Sequence, residues 1–127
     1  TYKLLDAIRT GAPVVLYDGG RMWRDWTFVS DIVAGIVAAV DAPLGYEIVN
    51  LGRGKPVLVS DYIAVFERIT GKKVPFEETA RLDSDIERTH ANIDKARRLL
   101  GYAPRVDVEE GAQKFVDWYE RALGPTS

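Results

Sequence analysis

Helix-like and strand-like segments alternate along this chain, and short connections join them. The clearest helical pattern starts at Ser30, which is a good N-cap, and repeats apolar residues at helical spacing until the Ala-Pro pair at 42–43 ends it. β-Prone runs at 14–17 and 46–51 lie on either side of that helix. Because this alternation is typical of α/β proteins, we predict an α/β fold in the form of a small mixed domain.

The other elements follow from apolar periodicity and from glycine or proline at the ends. A first helix carries Leu4, Leu5 and Ile8 on one face, and its pattern stops at Gly11. The same rules predict an extended segment at 21–29, a helix that starts at Ser60 and ends at Gly71, an edge strand at 73–77, a long polar loop at 79–89, a helix capped by Asn92 that ends at Gly101, and a final amphipathic helix over 108–123. No linker rich in glycine or serine interrupts the series, so residues 1–127 are predicted to form one domain.

The composition excludes several kinds of partner. The net charge of −2 is spread along the chain and gives no basic surface for nucleic acid or for an anionic membrane. No apolar run approaches the ~20 residues that a membrane span requires. The absence of cysteine removes disulfides, thiolate ligands and a thiol nucleophile, and it suits a reducing compartment. We therefore expect a cytoplasmic protein with no nucleic-acid or membrane partner.

The sequence does not supply a complete catalytic set. None of the six tyrosines is followed four residues later by the lysine that would lower its pKa for proton transfer. His90 is the only histidine, and we assign it a structural or surface role. The chain also starts at Thr1 without a methionine and leads at once into a helical pattern, which we interpret as truncation. These observations predict a truncated chain with no catalytic residue of its own.

Two further motifs favour plain loops over ligand sites. The stretch Gly52-Arg53-Gly54 follows a predicted strand, as a dinucleotide fingerprint would, but Val57 replaces the third glycine and the next helix begins too late for its N-terminus to meet a pyrophosphate. Asp83, Asp85 and Glu87 alternate in the long loop, but they lack the spacing and the turn glycine of an EF-hand. We predict that neither motif binds a cofactor or a metal.

The adjacent charges of Arg24 and Asp25 lie within the aromatic run at 22–29. They need partners there, because a buried unpaired charge is costly. One interpretation is an internal salt bridge or a pair of helix-cap contacts. The other is a guanidinium that faces a cleft and binds a phosphate through two parallel hydrogen bonds. The residues alone leave both interpretations open.

Five segments have a characteristic order: VLYDGG at 15–20, RDWTFVSDIV at 24–33, YEIVNLG at 46–52, NIDKARRLLGYAP at 92–104 and EEG at 109–111. In that order the chain resembles the carboxy-terminal half of the extended short-chain dehydrogenase/reductase family, specifically its nucleotide-sugar 4-epimerases and dehydratases. The resemblance covers nearly the whole chain. It implies that an amino-terminal Rossmann half, which holds NAD and the catalytic tyrosine and lysine, is missing here and would pack on this domain.

By the same resemblance, this half supplies substrate-binding residues. Arg24 matches a phosphate-binding arginine, which agrees with the interpretation of its guanidinium as a phosphate ligand. Tyr17 matches a residue on the strand that runs beside the nucleotide base. A second arginine and an aspartate match Arg81 and Asp85, although this arginine is displaced by one position and the usual Pro-Gly turn is absent. Arg88 is the alternative for the second arginine.

The resemblance implies that the parent protein is an NAD-dependent nucleotide-sugar 4-epimerase of the UDP-glucuronate or UDP-glucose type, in which this chain binds the nucleotide-diphosphate sugar. The alternatives are a nucleotide-sugar 4,6-dehydratase of the same family and a non-catalytic nucleotide-binding module. NAD would bind to the parent and not to this piece. We expect the piece to be inactive and monomeric on its own, and the parent to be a homodimer.

Overall fold

Five α-helices and four short strands follow one another in the computed structural model, which describes residues 1–81 and 85–126. The helices are α1 (Tyr2–Thr10), α2 (Val29–Asp41), α3 (Val59–Thr70), α4 (Asp94–Leu100) and α5 (Val108–Leu123), and the strands are β1 (Val14–Tyr17), β2 (Trp23–Arg24), β3 (Val57–Leu58) and β4 (Phe76–Thr79). β1 pairs with β4 in parallel, and β2 pairs with β3 in antiparallel orientation. The predicted mixed α/β class is confirmed.

The main core lies between α1, α3 and α5, with β1 along one side. Leu5, Phe66 and Tyr119, one from each of these helices, are fully buried. Burial of a large apolar side chain contributes about 1.5–3 kcal/mol, so these three helices form the most stable part of the domain. A smaller cluster packs α4 against the segment at 49–51. Within the described ranges, no helix is both long and apolar enough to cross a bilayer.

Three helices end where their glycines predicted. Gly11 follows α1 with φ 75°, Gly71 follows α3 with φ 70°, and Gly101 follows α4 with φ 62°. This left-handed backbone is unfavourable for residues with a Cβ atom, so glycine at these positions stops a helix at low cost. The start of α5 is also defined locally, because the side chain of Asp107 accepts a hydrogen bond from the backbone N–H of Glu110 at 2.8 Å.

The predicted helix starts are wrong by one or two residues. α2 begins one residue before Ser30, with Phe28 at its N-cap position, and α3 likewise begins one residue before Ser60. α4 begins at Asp94, although Asn92 does accept a hydrogen bond from the Asp94 N–H at 3.0 Å. None of these three helices has a side-chain hydrogen bond at its N-cap residue.

The strand predicted at 46–51 is wrong. The side chains of Tyr46 and Ile48 are 90% and 70% exposed, and no described residue pairs with this segment in a sheet. β-Propensity cannot supply the neighbouring strand that a ladder requires. The extended segment predicted at 21–29 contains only the two residues of β2, and the edge strand predicted at 73–77 begins later, at Phe76. The backbone N–H of Val74 binds the Glu67 carboxylate instead of a strand.

The apolar stripe of α2 is largely uncovered. On this helix the buried residues are Asp31 and Gly35, whereas Val37 and Val40 are 54% and 79% exposed. The stripe and the segment at 44–49 border one open cleft of about 350 Å³. We call the exposed stripe of the helix the α2 face; its members are Val33, Ile36, Val37 and Val40. A contiguous apolar surface of this kind usually marks the site of a partner.

Replacing Glu67 with glutamine is expected to destabilise the chain at neutral pH but not in acid. Glu67 accepts hydrogen bonds from Lys73 Nζ at 2.6 Å and from the Val74 N–H at 3.1 Å. Burial alone would raise the pKa of Glu67, but these two bonds outweigh it and lower the pKa below its ordinary value of 4.5. The ionised carboxylate therefore contributes stability above about pH 4.5, and that stability is lost as the pH falls through the folded-state pKa.

Thermal unfolding of the wild type and Glu67→Gln at a series of pH values measures this difference. The two melting temperatures are expected to differ at about pH 7 and to converge once the pH has fallen below the folded-state pKa, where the carboxyl is protonated in both the folded and the unfolded chain. A difference that stays constant over this range would contradict the predicted pKa shift.

Candidate functional site

The short strand β2 lies between β3 and the segment at 87–89. On one side, Trp23 is opposite Leu58 and Arg24 is opposite Val57. On the other side, the Trp23 N–H donates to the Glu87 carbonyl at 2.9 Å, and the Trp23 carbonyl accepts from the Thr89 N–H at 3.1 Å. This pairing brings Arg24 beside a segment more than 60 residues away in the chain.

The guanidinium of Arg24 is held on backbone carbonyls. Its Nη1 donates to the Trp23 carbonyl at 2.8 Å and approaches the Glu87 carbonyl at 3.5 Å, while Nη2 lies 3.7 Å from Sδ of Met22. Among the residues that the structure describes, no carboxylate pairs with Arg24. Because a guanidinium has five N–H donors, this arrangement orients the positive charge and leaves donors for an anionic ligand.

Two further arginines lie near the same segment but on opposite sides of it. The Arg88 guanidinium is 5.5 Å from the centre of the Trp23 ring, so Arg88 shares a side with Trp23. Neighbouring residues of an extended segment point to opposite sides, which directs Arg24 and Glu87 to the other side. Arg81 lies there as well, because its Nη1 is 3.7 Å from the Glu87 carboxylate. The geometry thus groups Arg24 with Arg81 and separates them from Arg88.

Tyr17 is placed at the end of β1, where the chain turns sharply. The next residue, Asp18, has φ 49°, and its carboxylate binds the Arg21 guanidinium at 2.5 Å. The hydrogen bond from Arg21 lowers the pKa of Asp18, and the positive charge of the nearby Arg81 acts in the same direction. An open cleft of about 390 Å³ lies between this turn and the end of β4. Arg81 therefore connects the Tyr17 end of β1 with the Arg24 side of β2.

Among the described contacts, none connects Asp85 to the arginines of this site. It is half-buried in the segment that leads to Glu87, and no hydrogen bond or ion pair within residues 1–81 and 85–126 joins it to Arg24, Arg81 or Arg88. Its neighbour Asp83 lies outside the described residues. Over the described part of the chain, no three side chains form a metal-binding group.

The carboxylate of Asp25 binds backbone N–H groups, so the interpretation of Arg24 and Asp25 as an internal salt bridge is wrong. Asp25 Oδ2 accepts from the N–H groups of Gly54 and Ala91, at 2.9 and 3.0 Å. His90 Nε2 lies 3.2 Å from the Gly54 carbonyl, so the histidine contributes to the same loop. These contacts make Gly52-Arg53-Gly54 a packed loop in which the Gly54 N–H is bonded to Asp25.

Sequence reasoning did not identify Asp25 as part of this site. Its partners are backbone N–H groups, which carry no signal in the sequence. The one indication was a charged residue within an aromatic run, and that indication did not separate Asp25 from Arg24.

A family model described as the NAD dependent epimerase/dehydratase family matches residues 2–52. The UDP-glucuronate 4-epimerase of Thermodesulfobacterium geofontis is 36% identical over 118 residues, which are 92% of this chain and 36% of that protein. This chain therefore spans just over a third of the length of that relative.

Two solved structures are similar along almost the whole chain. MoeE5 in complex with UDP-glucuronic acid and NAD has a TM-score of 0.90 at 28% identity, and the match covers 95% of this chain and 41% of MoeE5. The UDP-glucuronic acid 4-epimerase from Bacillus cereus, in complex with UDP-glucuronic acid and NAD, has a TM-score of 0.87 at 26% identity, with 96% and 40% covered. The small α/β domain described above is therefore part of a larger fold in both of these proteins.

Proposed function

We propose that this chain, which belongs to the NAD-dependent epimerase/dehydratase family, is the nucleotide-sugar-binding part of a larger 4-epimerase that acts on UDP-glucuronate or UDP-glucose. The observation that carries the proposal is the pair of arginines, Arg24 and Arg81, on one side of β2. The relatives supply the kind of substrate, since the named ones are UDP-glucuronate 4-epimerases or complexes with UDP-glucuronic acid.

In this proposal the two arginines bind the diphosphate. Guanidinium groups recognise phosphate oxygens through parallel, charge-assisted hydrogen bonds, which are about twice as strong as neutral ones. The grouping of Arg24 with Arg81 favours Arg81 over Arg88 as the second arginine. Tyr17 would contact the nucleotide base from the end of β1, and Asp85 would approach the nucleotide from the segment next to Glu87.

Anchoring the diphosphate would serve the reaction at a distance. An epimerase of this kind oxidises C4 of the sugar, lets the keto sugar turn, and returns hydrogen to the other side of C4. NAD, bound by the amino-terminal half, would accept and return the hydride. Residues of this chain would hold the nucleotide while the sugar moves, so that binding remote from the reacting carbon restricts the orientations of the substrate.

The α2 face supports the proposal that a further half of the parent protein packs here. Its exposed valine and isoleucine side chains, at 33, 36, 37 and 40, would be costly to leave in water. We propose that the amino-terminal half covers them, that NAD binds to that half, and that the parent is a cytoplasmic homodimer. On its own, this chain is expected to be monomeric and inactive.

Isothermal titration of the chain with UDP-glucuronate, UDP, UMP and uridine tests the proposal. We expect UDP and UDP-glucuronate to bind at least about tenfold more tightly than uridine, which corresponds to one charge-assisted hydrogen bond. Equal affinities for UDP and uridine would overturn the diphosphate site. Incubation with NAD and either UDP-sugar is expected to yield no 4-epimer, and formation of the epimer would show that this chain is catalytic by itself.

Assays of the parent protein distinguish the alternatives. A 4-epimer as product supports the epimerase, whereas a 4-keto-6-deoxy sugar would indicate the dehydratase. Nucleotide binding without either product would indicate a binding module.

A further inference from the structure

Asp25 joins three separate parts of the chain. Its Oδ2 accepts hydrogen bonds from the N–H groups of Gly54, at 2.9 Å, and Ala91, at 3.0 Å, and its Oδ1 lies 3.4 Å from the Lys55 N–H. Its own N–H donates to Oγ1 of Thr89 at 3.2 Å. The loop at 54–55 and the segment at 89–91 are thereby fastened to the end of β2.

The close packing around this carboxylate fixes its position. A Cβ atom on Gly52 would lie 2.5 Å from Cβ of Ala91 and 3.1 Å from Oδ2 of Asp25, so only glycine fits at 52 without displacement. Hydrogen bonds from backbone N–H groups to an ionised acceptor are stronger than neutral ones. If the acceptor is lost, two half-buried N–H groups converge on one point without a partner, and the loop and the segment move apart.

The segment that Asp25 fastens is the one that arranges both arginines. Its Glu87 carbonyl lies 3.5 Å from Nη1 of Arg24, and its Glu87 carboxylate lies 3.7 Å from Nη1 of Arg81. Arg24 is also the residue directly before Asp25, on the opposite side of β2. A shift of the segment at 89–91 would therefore change the separation of the two guanidinium groups.

We propose that Asp25 is a positioning residue for nucleotide-diphosphate recognition: it sets the spacing of Arg24 and Arg81 without touching the ligand. This role rests on the proposed function, because it concerns the same diphosphate site. The two residues of the Arg24-Asp25 pair would then have different roles. Arg24 binds the diphosphate, and Asp25 holds the loop at 54–55 and the segment at 89–91 in position.

The variant Asp25→Asn tests this role. Asparagine keeps the shape of the side chain, but it removes the negative charge that strengthens the bonds from the Gly54 and Ala91 N–H groups, and it presents an NH₂ group in place of one acceptor oxygen. Titration with UDP and with uridine, well below the melting temperature, gives the ratio of the two affinities. We expect this ratio to fall about tenfold, the factor for one charge-assisted hydrogen bond, while uridine binding is unchanged. A general loss of folded protein would lower the apparent affinities for UDP and for uridine by the same factor and leave their ratio constant.

Asp31→Asn is the matched control. Asp31 is a buried carboxylate that, like Asp25, accepts two backbone N–H bonds, in this case from Arg105 at 3.1 Å and from Val106 at 3.0 Å. It fastens α2 to a segment that carries neither arginine of the site. We expect Asp31→Asn to lower the melting temperature but to leave the UDP-to-uridine ratio at the wild-type value.

Thr89→Val provides a second, milder variant if Asp25→Asn does not fold. It removes the hydroxyl that accepts the Asp25 N–H and should lower the ratio about threefold, as for one neutral hydrogen bond. An unchanged ratio in the variants, beside a normal wild-type ratio, would overturn the role of Asp25 and leave the proposed function intact. A wild type that binds UDP no better than uridine would overturn both.

Discussion

Replacing Arg24 with glutamine is expected to weaken the binding of UDP-glucuronate by about a hundredfold, or roughly 2.7 kcal/mol. Removing one partner of a desolvated charge pair costs roughly 2–5 kcal/mol, because the remaining phosphate charge loses its counter-charge as well as its hydrogen bonds. Arg24→Lys keeps the charge but not the planar fork, so its affinity should lie between those of the wild type and the glutamine variant. Isothermal titration measures all three affinities directly.

Arg98→Gln is a suitable control, because Arg98 is an exposed arginine of α4. It removes the same net charge and should leave the affinity for UDP-glucuronate almost unchanged. Arg81→Gln should have a smaller effect than Arg24→Gln, since the Arg81 guanidinium is shared with Glu87 in the free chain. If Arg24→Gln binds UDP-glucuronate like the wild type, the diphosphate lies elsewhere and the arginine has a structural role.

The parts of the fold that sequence reasoning predicted are those with local causes. The end of α1 at Gly11 and the end of α3 at Gly71 follow from backbone conformations that glycine adopts most easily. The buried face of α3, with Ile63 and Phe66, follows from the spacing of its apolar residues. These signals need no knowledge of the rest of the chain.

The strand predicted at 46–51 failed for a different reason. Its residues have high β-propensity, but a strand forms only where another strand offers its N–H and C=O groups. The described residues include no such neighbour for Tyr46 or Ile48. Propensity identified a segment suited to a sheet, and tertiary structure decided whether the sheet exists.

The candidate site was predictable only in part. Arg24 attracted notice because its charge lies in an aromatic run. The spacing of the residues could not show whether Arg81 or Arg88 lies on the same side of β2 as Arg24. The answer depends on the pairing of Trp23 with Arg88, which are more than 60 residues apart in the chain. Once this register is known, the alternation of an extended segment separates Arg88 from Arg81. Long-range register, more than residue type, was the missing information.

The α2 face raises the question of what covers it. Val37 is 54% exposed, and on the same helix Val40 is 79% exposed. A helix stripe this apolar is normally buried, yet no described element packs over it. The named relatives are more than twice the length of the matched region, so the parent proposed here has ample chain to supply the cover. If this is correct, the face should tolerate charge in the isolated chain and not in the parent.

The double variant Val33→Lys/Val37→Lys is therefore expected to have opposite effects in the two contexts. In the isolated chain it should change the free energy of unfolding by less than about 0.5 kcal/mol per site, as at other exposed positions, and reduce the binding of a hydrophobic dye. In the parent, burying two lysine ammonium groups without partners should cost several kcal/mol for each charge and separate the halves. Val15→Lys is the matched control, because Val15 is also 54% exposed but lies on β1, away from α2. A parent protein whose melting temperature and activity survive the double substitution would show that the α2 face is not the interface.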